Sequence, residues 1–402
     1  MQLCKYYPIA NDRMGTIWTL ASIKGACVIE FGPAGTTHYA IEGIGSLNGH
    51  HEANVYSTHM DQNDVTFGKY DRLEQAIMEV DENIKPKYIF VMASSISSII
   101  GADVESVCFE LESKVNATLI PITTGGLKHH YHIGVEQTLL LLVKKLVKPA
   151  QKNPNKYNIL GFTMDRYNYL SDVEELKRMM GNLFNKEVQT VFTASTTVEE
   201  IEEAATASLN IVVRREALKA AQYLEKTYGI PYIYHSLHGL ENTMKFIQKV
   251  AMIDGYELNE EKYQEEIAQI KQQLFTVKRR FLFHKETKKC AIFGDYDTVT
   301  GLKHLIEELG LEVDRAEVLY QTSVEEPLVA GVTELERMKY LSNESLLFLL
   351  GDGPTLEMKH QAKAMHQVSN PNLHRMMIYP YTPFIGFRGM LYWMEQLLNI
   401  RL

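Results

Sequence analysis

Ala291-Ile292-Phe293-Gly294-Asp295 is a short apolar run that closes on glycine and an acid. Asn158-Ile159-Leu160-Gly161 and Phe348-Leu349-Leu350-Gly351-Asp352 echo it. Runs of this length, bounded by Gly, Pro or polar residues, read as buried parallel strands. Lys87–Ala93, Val188–Thr193, Ser208–Val213 and Pro231–His235 extend the set. Amphipathic helices are predicted between them. Ser171 reads as the N-cap of a helix over Asp172–Met180, with Glu174 three residues on. Val198–Ala207 and Glu216–Tyr228 follow, the second stopped by Gly229-Ile230-Pro231. The longest helix is predicted over Asn259–His284, where Tyr263, Ile267, Ile270, Leu274, Val277 and Phe281 make one core-facing stripe. Repeated strand–helix units imply an α/β fold of parallel sheets joined by right-handed crossovers.

Two polar breaks divide this pattern, one at Lys148–Asn155 and one at Lys285–Lys289. They predict three α/β domains. Residues 1–150 form the first, 151–285 a middle domain ending in the long helix, and 286–402 a third with a C-terminal helix. A chain of 402 residues is long enough for several cores without disulfides or structural metals.

Composition removes several classes of function. Lys and Arg total 41 against 50 Asp and Glu, a net charge of −9, with no concentrated basic stripe. Nucleic acid and anionic membranes are therefore poor partners. Leu139–Val143 and Leu346–Leu350 fall far short of the roughly 20 apolar residues of a membrane span. The start, Met1-Gln2-Leu3-Cys4-Lys5, lacks the pattern of a secretion signal, so a cytoplasmic location is expected. A secreted solute-binding protein fits worst for the same reason. The four cysteines at 4, 27, 108 and 290 are scattered, without a CxxC pair.

Three local features carry chemistry. Gly32-Pro33-Ala34-Gly35-Thr36-Thr37 follows the apolar run Ala26–Glu30, either as a tight strand–helix turn or as a ligand loop. The histidines His50–His51, His129–His130–His132 and His235 with His238 read better as surface or helix-start residues than as metal ligands. Arg214-Arg215 ends an apolar strand and precedes a helix. The pair either binds a carboxylate or phosphate, or is engaged by Glu216 or a neighbouring acidic helix.

Taken in order, these pieces resemble nitrogenase component 1 and its relatives, among them a cofactor-assembly scaffold and the dark-operative protochlorophyllide reductase. Met14-Gly15-Thr16 and Phe31-Gly32-Pro33-Ala34-Gly35-Thr36 are similar to the family's "LGA … HGPxGC". Thr58-His59-Met60-Asp61 through Gly68, then Leu73-Glu74-Gln75-Ala76-Ile77, resemble its second segment. Pro86–Ala93 with Ser94-Ser95-Ile96 and Ile100-Gly101-Ala102-Asp103 resemble its third. Asn210–Glu216, Tyr228–Tyr232, Ile292–Asp297, and His374-Arg375 through Gly389 continue the likeness to the end of the chain. The resemblance implies three Rossmann-like domains around a central cavity, in paired subunits. It also implies a [4Fe–4S] cluster between subunits, an ATP-dependent iron–sulfur reductase as electron donor, and a tetrapyrrole or metallocofactor in the cavity.

The chain departs from that pattern at the cluster. Iron–sulfur clusters take thiolate ligands, and the family's cluster-binding subunit has one cysteine in each of three motifs. Here the second motif has Thr36 and the third Ser95, leaving Cys4 near the first. By analogy with heteromeric members, Cys4 becomes the single ligand offered to a cluster shared with a sister chain, and Gly32, Gly35, Thr36 and Ser95 enclose that site. In the protochlorophyllide enzyme the lone ligand is a carboxylate, at the position of Thr36. The position of the nitrogenase cofactor's cysteine holds Arg214, which with Arg215 implies anion contacts in the cavity and argues against molybdenum nitrogenase itself. Two functions follow as expectations. One is a cysteine-poor subunit of a nitrogenase-like reductase, paired with a sister chain. The other is a non-catalytic cofactor-binding or assembly protein, including one that pairs with itself.

Overall fold

The computed structural model describes residues 4–6, 8–45, 47, 54–282, 288–375 and 377–401. His50 and His51, His284, and the domain break expected at 285/286 lie outside the described residues.

Three parallel sheets make up the described chain. The first contains β1 (Ala26–Phe31), β2 (Val55–Ser57), β3 (Tyr88–Ala93) and β4 (Thr118–Ile122), in the order β2-β1-β3-β4. The second contains β5 (Lys156–Phe162), β6 (Glu187–Thr193), β7 (Leu209–Val212) and β8 (Tyr232–Tyr234), ordered β6-β5-β7-β8. The third contains β9 (Lys289–Gly294), β10 (Glu312–Val318), β11 (Val329–Ala330), β12 (Ser345–Asp352) and β13 (Gln361–Ser369). Its order is β11-β10-β9-β12-β13. Of the apolar runs read from sequence, those at β3, β5, β7, β9 and β12 are interior strands, while Val188–Thr193 and Pro231–His235 fall on the edge strands β6 and β8. β1 and β3 are buried at every position, and their register pairs Cys27 with Ile89 and Phe31 with Ala93. β13 escaped sequence reading because it is an edge strand whose first half alternates with solvent, exposing Gln361, Lys363 and Met365.

Each sheet winds outward in both directions from a central pair: β1/β3, β5/β7 and β9/β12. In doubly wound sheets the crevice at the carboxyl ends of such a pair is where ligands bind. Packing brings the three sheets together. One core joins Tyr157 and Leu176 of the second unit to Leu305, Phe348 and Trp393 of the third. Another joins Ile17, Phe90 and Leu139 of the first unit to Leu160 and Val212 of the second. The long helix spans Glu260–Leu282 and buries Tyr263, Ile267, Ile270, Val277 and Phe281, with Leu274 partly buried. Burying each of these large side chains contributes roughly 1.5–3 kcal/mol.

One helix start differs from expectation. The helix runs Tyr169–Phe184, with Asn168 at its N-cap in a left-handed conformation and Ser171 buried within its first turn. Tyr169 and Leu170 extend the apolar stripe of the helix backwards, and core packing overrides the capping preference of serine. None of the described helices is long and apolar enough to cross a membrane.

Candidate functional site

Candidate residues stand at the carboxyl ends of the three central strand pairs. In the first sheet, the turn after β1 and the turn after β3 touch. A Cβ on Gly32 would fall 2.5 Å from the Ser94 Cβ, so only glycine allows this approach. The Gly32 amide donates to Thr58 Oγ1, and its carbonyl accepts from the Met60 amide. Ser94 caps the short helix Ser95–Ile99 by accepting from the Ser97 amide. Gly35 is different, since a Cβ there meets nothing within 4 Å. Beneath the turn, Arg13 forms a buried ion pair with Glu30 and donates to the Thr36 carbonyl at 3.3 Å. Sequence reading missed this pair, because nothing local links a helix residue to a strand residue 17 positions on.

Thr36 and Ser95 stand at the two expected cluster positions, and both hydroxyls are turned into the protein. Thr36 Oγ1 donates to the Pro33 carbonyl at 2.9 Å, and Ser95 Oγ donates to the Gly125 carbonyl at 2.7 Å. Neutral hydroxyls held this way do not fit as iron–sulfur ligands. Cys4 is exposed, and its thiol donates to Glu334 Oε2 at 3.0 Å, beside the third sheet. Glu334 also accepts from the Lys5 and Tyr6 amides, which fastens this stretch of chain. Burial works against its ionised form, but the Cys4, Lys5 and Tyr6 donors prevail and hold its carboxyl below the usual range. Cys27, Cys108 and Cys290 are buried, and burial pushes all three thiols up, to about 11 for Cys27 and about 12 for the others. Among the described residues, no three His, Cys, Asp or Glu side chains converge as metal ligands.

In the second sheet, Gly161 sits at φ +106°, and a Cβ there would fall 2.5 Å from the Arg214 Cγ. Arg214 is 1% exposed. Its Nε donates to Glu216 Oε2 at 2.9 Å, and its Nη1 donates to Asp165 Oδ2 at 2.9 Å and Thr163 Oγ1 at 3.0 Å. Two carboxylates thus neutralise the guanidinium. Of the two readings left open by the sequence, engagement by Glu216 is the one found. Arg215 turns away. It stacks on Tyr296 at 4.1 Å and donates to Thr322 and the Ser323 carbonyl, in an outer groove with His132 and Lys219. The expectation of two arginines acting together on one anion is corrected accordingly: adjacent residues leaving a strand point to opposite sides.

In the third sheet, Asp295 follows β9 and caps the helix Tyr296–Glu308. Asp352 ends β12 and caps the helix Gly353–Glu357. Burial opposes the ionised form of Asp295, but Arg166, Arg214 and Thr298 outweigh it and hold the carboxyl below its usual range. Burial pushes the Asp352 carboxyl up. The signal for both was present in the sequence, as the acid after each Gly-ended strand.

Strand ends of the second and third sheets open on one cavity of about 80 Å³, and the turns at Gly32 and Ser94 of the first sheet do not line it. Asp165, Asp295, Asp352 and Ser369 line it from strand ends, and Trp18 and Tyr131 from helices of the first unit. Among the described residues, no histidine lines this cavity. His129 is exposed, while His132 is buried against Tyr320 with ring centroids 4.0 Å apart. Burial pushes His132 down to about 4 and His238 to about 3, leaving both neutral.

Comparison with known proteins gives a consistent result. The family model described as nitrogenase component 1 type oxidoreductase matches residues 12–401. The nitrogenase iron-molybdenum cofactor biosynthesis protein NifE of Clostridium pasteurianum is 29% identical over 302 residues, covering 73% of this chain and 64% of that protein. A light-independent protochlorophyllide reductase chain of Nostoc punctiforme is 24% identical over 334 residues, covering 78% of this chain and 64% of that protein. The chain thus spans under two thirds of the length of either relative. A solved structure, nitrogenase Cp1 at pH 6.5, superposes with a TM-score of 0.83 at 16% identity, over 100% of this chain and 93% of that one. At that identity the likeness shows the fold.

Proposed function

The chain belongs to the nitrogenase component 1 type oxidoreductase family, and from that premise we propose that it is the cysteine-poor member of a nitrogenase-like complex. The observation that carries this reading is the pair of hydroxyls at Thr36 and Ser95. The turns that hold them keep a close approach that glycine alone allows, while the hydroxyls themselves bond to backbone carbonyls. A scaffold kept without its thiolates suits a chain whose partner brings the ligands.

In this reading a sister chain supplies most of the thiolates of an interfacial [4Fe–4S] cluster, and an ATP-dependent iron–sulfur reductase supplies electrons. Cys4, the exposed one of the four cysteines, is the thiol this chain offers across the interface. Gly32, Gly35, Thr36 and Ser95 form the wall on this side. This chain's own donors do not fit a complete cluster, and no redox step is assigned to them. The functional units are residues 1–150, 151–285 and 286–402, and the setting is the cytoplasm.

A second reading, cofactor assembly without redox turnover, is favoured by the likeness to a protein named for cofactor biosynthesis. The two readings separate on anaerobic co-expression with a candidate sister chain. The subunit reading expects a stable pair that carries iron and sulfide, with less of both in Cys4→Ala. A homodimer that never carries iron in any pairing supports assembly and rejects the subunit reading.

A further inference from the structure

The charge around the central cavity has the opposite sign to the one that Arg214 alone suggests. Asp165, Asp295, Asp352 and Glu334 line the wall, against Arg337. Arg337 is itself held by Glu317 through bonds of 2.8 and 2.6 Å, and Arg315 binds the other oxygen of that carboxylate. Arg214 is shared between Asp165 and Glu216, and Arg166 lies near enough to Asp295 to act on its charge. In all, six carboxylates face four guanidiniums. Arg214 keeps one buried nitrogen, Nη2, without a hydrogen-bond partner, and Arg166 Nη1 bonds the Val213 carbonyl, but neither arginine lines the cavity, where four acids stand against Arg337. An excess of this kind acts on a charged guest, and more strongly the less bulk water surrounds it.

Two further groups point to a ligand, independently of the acids. Trp18 is 8% exposed and Ser369 5%, and both line the cavity. Neither Trp18 Nε1 nor Ser369 Oγ has a hydrogen-bond partner among the described residues. Buried polar atoms are ordinarily satisfied. The indole is a donor only, so it calls for an acceptor atom, while the hydroxyl serves as donor or acceptor. Ile9, Leu319 and Met358 add apolar wall.

We propose that this cavity binds a small organic cation: an ammonium or similar donor group on a short apolar body that also carries an acceptor oxygen. The ammonium faces the acids at the ends of β9 and β12, and the acceptor takes the Trp18 N–H. This rests on the subunit reading only in placing the ligand at the centre of the family fold. The charge preference belongs to this chain alone and is measured on it alone.

The test compares 4-amino-1-butanol, 1,4-butanediol and 4-hydroxybutyrate, which differ chiefly in charge, by ligand-observed NMR on the full chain without a partner. The amine is expected to bind at least about tenfold more tightly than the anion, with the diol between them. Asp295→Asn and Asp352→Asn each remove a charge yet keep an oxygen that can cap the helix, so each should narrow the gap. Equal or tighter binding of the anion overturns the proposal, as does no binding of the amine, or a gap that neither substitution moves. These outcomes leave the subunit reading standing. An isolated chain that carries its own cluster would defeat that reading and leave the cation preference intact.

Discussion

Arg214 Nε donates to Glu216 Oε2 at 2.9 Å, and the same guanidinium bonds Asp165 across the sheet. This links the carboxyl ends of β5 and β7 and consumes the charge of an arginine placed to look like a ligand contact. Tyr320 extends the link to the third unit by donating to Glu216 Oε1 at 3.0 Å. Removing one member of a buried ion network strands the others, at a cost of about 3–5 kcal/mol. Arg214→Met is therefore expected to lose stability on that scale in denaturant unfolding. A loss below about 1 kcal/mol would mean that the network holds little together.

The Arg13–Glu30 pair makes the same point with a sharper control. Both side chains are buried, and Arg13 also holds the Thr36 carbonyl. Arg13→Met alone should cost about 3–5 kcal/mol by leaving Glu30 buried and unpaired. Arg13→Met with Glu30→Leu should recover most of that, because two apolar side chains replace two charges. If the double variant is as unstable as the single one, the cost lies in lost support for the Thr36 turn instead.

Gly32 and Gly35 lie in one turn and make opposite predictions. Gly32→Ala drives a Cβ to 2.5 Å from Ser94 Cβ, and should destabilise by at least about 1–3 kcal/mol through overpacking. Gly35→Ala meets nothing within 4 Å, at the start of the helix Ala34–Gly45, and should be neutral or stabilising by up to about 1 kcal/mol. Thermal unfolding of the two variants checks the contrast, and equal shifts would contradict it.

Asp172 gives a pH dependence of definite sign. It is buried, burial pushes its carboxyl up to about 7, and it accepts from the Phe384 amide at 2.7 Å. An aspartate in the unfolded chain titrates near 4. Between these values the folded state binds more protons, so this group's contribution to stability falls as pH rises from about 4 to about 7. Asp172→Asn keeps an acceptor and cannot ionise. Its unfolding free energy, measured across that window, should rise relative to the native chain as pH increases. A constant difference would remove Asp172 as the cause.

Much of the fold is legible in the sequence because central parallel strands are buried on both faces and read as unbroken apolar runs. Ala291–Asp295 and Phe348–Asp352 mark both the strands and, through their closing acids, two walls of the cavity. Edge strand β13 is not legible, because half of it alternates with solvent. The site is legible only where partners lie close in sequence. Glu216 is two residues from Arg214 and reads as one of its possible partners. Asp165 lies 49 residues away and meets it only because β5 and β7 are neighbours. Nothing local distinguishes Arg13 from a surface arginine, or shows that Trp18 and Ser369 face one cavity. The motif likeness around Thr36 and Ser95 leads to the expectation of substituted cluster positions, and the structure adds where those hydroxyls point.

The central claim is that this chain keeps the cluster scaffold and depends on a partner for the ligands. Iron and acid-labile sulfide per chain, after anaerobic reconstitution of the chain alone, test it most directly. The account predicts far less than one four-iron cluster per chain and no [4Fe–4S] signal by Mössbauer or EPR spectroscopy. A full cluster on the isolated chain, unchanged in Cys4→Ala, would contradict it.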